Sequence, residues 1–100
     1  MKESDDEVFN EGFEQTVALG NDIAAQDSEA DVWDIADGML AGAIQYWLYS
    51  RQPCGNPQCE DCASMATAEA RMSELLRLIK EAAKDSEYYH SPSDANVGRA

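Results

Sequence analysis

The sequence predicts an all-α protein: a three-helix bundle with a Cys- and Pro-containing loop between helices 2 and 3 and an irregular C-terminal tail. Three stretches repeat apolar residues at helical spacing, and none alternates apolar and polar residues as a strand would. One hundred residues, 44% of them hydrophobic, are enough for one modest core. We therefore expect a single helical domain over residues 1–100, with helices at about 5–26, 29–50 and 63–84 and a tail at 85–100.

The first helix is predicted to begin at Ser4, because Ser4-Asp5-Asp6-Glu7 has the S-x-x-E pattern of a capping box. One arc of this helix is apolar or small: Phe9, Phe13, Thr16, Val17, Gly20, Ile23 and Ala24. The opposite arc is acidic: Glu3, Glu7, Glu11, Glu14 and Asp22. Gly12 and Gly20 each weaken a helix by about 1 kcal/mol relative to Ala, so tertiary packing must stabilise it.

The second helix is predicted to start after Ser28, the expected N-cap, and to end near Ser50. Its predicted buried stripe is Val32, Ala36, Met39, Leu40, Ala43, Ile44 and Trp47. Gly38 and Gly42 lie four residues apart, a spacing that lets another helix approach closely. Trp33, Tyr46, Trp47 and Tyr49 make this helix the expected aromatic centre. Trp33 and Tyr49 are alternatively interface anchors, but a core position is the favoured interpretation.

The third helix follows a loop, Arg51 to Cys62, that contains two prolines and a glycine. Its predicted core face is Met65, Ala68, Met72, Leu75, Leu76, Ile79 and Ala83. Its outer face has mixed charge, with Arg77 between Glu74 and Glu81 at spacings that allow ion pairs. The tail has no helical period, and we expect Tyr88 and Tyr89 to anchor it against the bundle.

Charge is distributed very unevenly along the chain. Residues 3–50 contain twelve acidic residues and no Lys or Arg, whereas residues 51–100 contain eight acidic residues and six basic ones. A field of one sign favours a partner of opposite sign, and proteins that bind nucleic acid are rich in Lys and Arg. The candidate partner-binding residues are Glu7, Glu11, Glu14, Asp22, Asp31, Asp34 and Asp37. The alternative is a solvated face that keeps the protein soluble. The net charge of −13 argues against direct nucleic-acid binding and against anionic membranes.

Three cysteines offer a possible metal site. Cys54, Cys59 and Cys62 have C-x4-C-x2-C spacing, and His90 is the available fourth ligand for zinc. Only one C-x2-C pair is present and His90 is far along the chain, so reduced thiols without a cofactor are the favoured interpretation.

We expect no enzymatic activity, because there is no Gly-rich phosphate loop or nucleophile elbow and a small bundle leaves little room for a substrate pocket. The start of the chain lacks the apolar region of a secretory signal, and the weakly polar run at 38–49 is too short to span a bilayer. The predicted location is the cytoplasm.

The chain as a whole resembles small acidic anti-CRISPR proteins directed against type I-F surveillance complexes. The resemblance is carried by DSEADVWDIADGMLAGAIQYWLYS at 27–50 and DSEYYHSPSDANVGRA at 85–100. It implies a phage- or prophage-encoded inhibitor that acts in the bacterial cytoplasm and blocks target DNA by occupying a Lys/Arg-rich surface. The resemblance assigns no site residue. Two alternatives stay open: a zinc-stabilised cytosolic adaptor, and an acidic DNA mimic aimed at another DNA-binding protein.

Overall fold

The computed structural model describes residues 2–56, 58–60 and 63–92, with side chains from Asp6 onward. These residues form three α-helices, α1 (Lys2–Gln26), α2 (Val32–Ser50) and α3 (Ala68–Asp85), and a short 3-10 helix at Ala63–Met65. The prediction of an all-α protein with three helices is confirmed. The chain divides into two compact units, Met1–Ser50 and Arg51–Ala100, and the single domain expected from the sequence stays a prediction. None of the helices in the described ranges is long and apolar enough to cross a membrane.

The first unit is a helical hairpin whose turn is held by aspartates. The Asp27 carboxylate accepts a hydrogen bond from the Glu29 amide at 3.1 Å. The Asp31 carboxylate accepts one from the Trp33 amide at 2.9 Å, which makes Asp31 the N-cap of α2. The predicted N-cap, Ser28, is therefore wrong by three residues, because residues 28–30 belong to the turn that Asp27 closes.

The start of α1 also differs from the prediction. The helix begins at Lys2, so Ser4 lies within it and is not its N-cap. The last residues of α1 and α2, Gln26 and Ser50, are those predicted.

Gly20 of α1 lies close to the Met39 side chain of α2. A Cβ atom placed on Gly20 would lie 2.8 Å from Sδ and 3.1 Å from Cε of Met39, so only glycine fits without a shift of Met39. At Gly38 and Gly42 a Cβ atom would meet no described atom within 4 Å. The prediction that Gly38 and Gly42 receive another helix is therefore wrong within the described chain, and Gly20 has that role.

The first unit leaves much of its apolar surface exposed. No residue of α2 is buried, and of its predicted stripe only Met39, Ile44 and Trp47 are half-buried. Phe9 and Phe13 of the α1 apolar arc are 68% and 65% exposed. Within this unit each helix has a single neighbour, so the unit itself does not cover the apolar positions that face away from that neighbour.

Three of the aromatic residues of α2 are also largely exposed. Trp33, Tyr46 and Tyr49 are 78%, 72% and 73% exposed, and the rings of Tyr46 and Tyr49 lie 6.0 Å apart. The favoured core interpretation of Trp33 and Tyr49 is therefore wrong.

In the second unit, α3 starts five residues later than predicted. The Thr67 hydroxyl accepts a hydrogen bond from the Ala70 amide at 3.0 Å and caps the helix. The Arg71 guanidinium donates to the Met65 carbonyl at 2.8 Å and links α3 to the preceding 3-10 turn. Leu75 is buried, whereas Met72 and Leu76 are 54% and 46% exposed, so the predicted core face is only partly buried.

The predicted tail is described only to residue 92. Ser86 ends α3, and its hydroxyl oxygen accepts a hydrogen bond from the Tyr88 amide at 3.1 Å. Tyr88 is 84% exposed, so the expectation that it anchors the tail is wrong. Tyr89 makes an edge-to-face contact with the neighbouring His90 ring. Residues 93–100 lie outside the described part of the chain.

Candidate functional site

Four of the predicted acidic residues form one exposed row along α1. We call Glu7, Glu11, Glu14 and Asp22 the acidic stripe, and all four are exposed. At 100° per residue they fall within an arc of about 80°, and at 1.5 Å per residue the row is about 22 Å long. A straight helix therefore presents four carboxylates on one side with no basic residue between them.

The contact at Gly20 fixes which way the acidic stripe points. Glu11 and Gly20 are nine residues apart, about 180° around the helix. Since Gly20 faces Met39 of α2, Glu11 lies on the side of α1 turned away from α2. The acidic stripe is thus an outer surface of the hairpin and is accessible to a partner.

The three predicted acidic residues around α2 do not extend this surface. Asp31 caps the helix, and Asp34 lines a groove between α1 and α2. Asp37 is exposed and lies two residues from Met39, about 200° around α2, so it faces away from α1. The stripe and Asp37 therefore lie on opposite outer sides of the hairpin, and the seven predicted acids do not form one face.

Acidic residues on α3 provide a comparison within the same chain. The Arg77 guanidinium binds Glu74 through two hydrogen bonds of 2.9 and 2.5 Å and reaches Glu81 at 2.5 Å. Its hydrogen bonds lower the pKa of Glu74 and outweigh the opposing effect of desolvation. Glu74 in turn raises the pKa of Arg77. In the sequence of α1, by contrast, no Lys or Arg follows Lys2. The four acids of the acidic stripe thus have no Lys or Arg three or four residues away on their own helix, the spacings at which Arg77 neutralises Glu74 and Glu81.

The candidate zinc ligands are only partly described. Cys54 is exposed, Cys59 is half-buried, and the His90 ring lies 4.8 Å from the Tyr89 ring. Among the described residues, no three His, Cys, Asp or Glu side chains are grouped so as to hold a metal ion. Cys62, the third predicted ligand, lies outside the described residues.

A second feature of the first unit was not predicted from the sequence. An open groove of about 450 Å³ runs between α1 and α2. It is lined by Thr16, Leu19, Ile23, Asp34, Ile35, Gly38, Met39, Gly42 and Ala43. The sequence signal for it was the pair Gly38 and Gly42, which by spacing alone predicts helix packing and which the structure places on the open groove.

The fold and this surface define a class: an all-α protein whose first unit carries an outward-facing acidic helix. Comparison with known proteins adds no relative, since no protein-family model, no curated protein and no solved structure matches the chain.

Proposed function

We propose that this protein inhibits a type I-F CRISPR surveillance complex by occupying a Lys/Arg-rich surface that otherwise binds target DNA. The observation that carries the proposal is the acidic stripe, which is exposed and turned away from α2. RNA-guided complexes hold nucleic acid in positively charged channels, and a row of carboxylates matches such a channel as a row of phosphates does. The resemblance of the chain to type I-F inhibitors supplies the particular target.

Charge explains fast association better than it explains lasting affinity. Long-range attraction accelerates encounter, but exposed ion pairs each add only about 0–1 kcal/mol. Phe9, Phe13 and Trp33 are exposed aromatic residues of the same unit, at 68%, 65% and 78%. Aromatic side chains of this kind supply most of the binding energy at many interfaces. Phe9 and Phe13 lie on the arc of α1 opposite the acidic stripe, so we expect the stripe to attract the complex and the aromatic residues to slow dissociation through a second contact.

A competition experiment tests the function itself. Purified protein is added to an assembled type I-F complex, and binding of labelled target DNA is measured over a series of salt concentrations. We expect loss of DNA binding that weakens as salt rises, because salt screens attraction between exposed charges. DNA binding that is unaffected by the protein would exclude this target. The acidic stripe would then be tested against other DNA-binding proteins.

Charge reversal tests the site. Changing Glu7, Glu11 and Glu14 together to Lys should reduce inhibition at least tenfold, while the helical circular dichroism stays unchanged. The matched control is Glu60→Lys, Asp85→Lys and Glu87→Lys, which alters net charge by the same amount at exposed positions of the second unit. If both triple variants lose inhibition equally, net charge matters and the stripe does not. Full inhibition by the stripe variant would place the contact elsewhere.

A further inference from the structure

The groove between α1 and α2 is a second feature of the first unit, and none of its lining residues belongs to the acidic stripe. Leu19 and Ile23 on one wall are 52% and 36% exposed. Gly38 and Gly42 on the other wall lie one helical turn apart and carry no side chain that would close it. The volume of about 450 Å³ is in the range of natural binding clefts, which span about 300–1,000 Å³.

The lining of the groove favours an amphipathic helix over a small polar ligand. Its polar side chains are Thr16 and Asp34, and the Thr16 hydroxyl already donates to the Gly12 carbonyl at 2.7 Å. Small ligands are usually held by several convergent polar groups, which this groove lacks. An amphipathic helix needs an apolar channel between two helices, into which its side chains fit at i, i+3, i+4 and i+7.

The charge around the groove indicates which kind of helix it would bind. Asp34 lies on its wall, and residues 3–50, which include both walls, contain twelve acids and no base. A second copy of this chain would bring two such acidic units together, which like-charge repulsion disfavours. A helix with Lys or Arg beside its apolar stripe is complementary both to the lining and to the charge.

We propose that the groove between α1 and α2 binds an amphipathic, Lys/Arg-flanked helix of a basic protein partner. Apolar side chains of that helix enter over Gly38 and Gly42, and a cationic side chain pairs with Asp34. The inference rests on the proposed function for its partner, taken to be a protein of the basic complex. It deepens that function by adding an apolar anchor, on a different side of α1, to the electrostatic contact of the acidic stripe.

The test fills the groove without removing any charge. Gly38→Leu with Gly42→Leu places two side chains in the open space, where a Cβ atom meets no described atom within 4 Å. Both changes replace glycine by a better helix former, so α2 should keep or gain stability. The control is Gly12→Leu, also open at its Cβ position and outside the groove lining. We expect the filled variant to bind the type I-F complex at least tenfold more weakly and the control to bind as wild type.

A synthetic probe separates failure of this inference from failure of the proposed function. The probe is a labelled helical peptide with a Leu stripe flanked by Lys, compared with the same peptide carrying Glu in place of Lys. We expect the Lys peptide to bind wild-type protein at least tenfold more tightly than the filled variant, and the Glu peptide to bind neither. Equal binding of the Lys peptide to both proteins would overturn the proposal that the groove binds a helix, whether or not the type I-F complex binds the protein. If the peptide binds wild-type protein more tightly than the filled variant, but the type I-F complex does not bind the protein, the groove is a helix-binding site and the type I-F complex is not its target.

Light scattering and thermal melts test two other ways in which the groove could be filled: by a second copy of the chain, or by another part of the same chain. A wild-type dimer that becomes monomeric in the filled variant would show that a second copy occupies the groove. A large fall in melting temperature for the filled variant, but not for Gly12→Leu, would make the groove an internal packing site of the chain. Either result would overturn the proposal.

Discussion

Glycine has different roles at different positions of this hairpin, although the sequence presents each one alike. Gly20 lies against Met39, with 2.8 Å between Sδ and a Cβ added there, whereas Gly12 faces open space. Helix propensity alone predicts that replacing either by Ala stabilises α1 by about 1 kcal/mol. Contact with Met39 opposes that gain at Gly20 only.

We predict that Gly12→Ala raises the free energy of unfolding by about 1 kcal/mol and that Gly20→Ala changes it little. The measurement is chemical denaturation followed by circular dichroism. In a Met39→Ala background the obstacle is removed, so Gly20→Ala should there gain the full amount of about 1 kcal/mol. Equal gains at Gly12 and Gly20 in the wild-type background would contradict the close contact.

The start of α2 gives a second prediction at this scale. The Asp31 carboxylate accepts from the Trp33 amide, so Asp31→Ala should lower the free energy of unfolding by about 1 kcal/mol. Ser28 lies in the turn, and Ser28→Ala should have an effect below about 0.5 kcal/mol. Denaturant titrations of the two variants in parallel distinguish them. A greater loss of unfolding free energy for Ser28→Ala than for Asp31→Ala would show that Ser28 is the N-cap, as predicted from the sequence.

At the scale of elements, α1 and α3 differ in how their acidic residues are arranged relative to basic ones. Glu74 and Glu81 of α3 share Arg77. Glu7 and Glu11 of α1 carry like charges four residues apart, an arrangement that weakens a helix by about 0.2–0.5 kcal/mol. The chain thus keeps like charges together on α1 and neutralises them on α3, which is the pattern expected if α1 meets a cationic surface.

The ion pair on α3 has a pH dependence whose sign follows from its geometry. The hydrogen bonds from Arg77 hold the pKa of Glu74 below its ordinary value in the folded protein. The stabilisation is therefore present above the unfolded pKa and is lost as the pH falls through the folded pKa. Arg77→Met should raise the pKa of Glu74, measured by NMR titration, and should flatten the acid dependence of stability. Lys80→Met makes the same charge change on α3 and should leave the pKa of Glu74 low. An unchanged pKa in the Arg77 variant would contradict the pairing.

At the scale of the whole molecule, the boundary between the acidic and the charge-balanced halves of the sequence coincides with the boundary between the two compact units. The one-sided stretch ends at Ser50, which is also the last residue of the first compact unit. The balanced half begins at Arg51 and forms the second unit. The acidic surface therefore belongs to one unit and one helical hairpin, and the second unit offers a control of similar length for experiments on charge.

Much of the fold followed from the sequence because helices depend on local spacing. Apolar periodicity predicted three helices, and the ends at Gln26 and Ser50 were correct. Helix starts were less predictable, because several polar residues compete for each cap: Asp31 replaced Ser28, and Thr67 capped α3 after a separate turn. The signal for Thr67 was present, since Glu69 follows it in the first turn of the helix.

The sequence by itself determined the helices and placed the acids of α1 along one arc, since both depend only on residue order and 3.6 residues per turn. Only the tertiary structure decided which side of α1 meets α2, because that depends on the contact between Gly20 and Met39. The same contact separates Asp37 from the acidic stripe and leaves Gly38 and Gly42 on an open groove. Spacing shows which residues share a face of a helix, whereas contact between helices shows which face remains open to a partner.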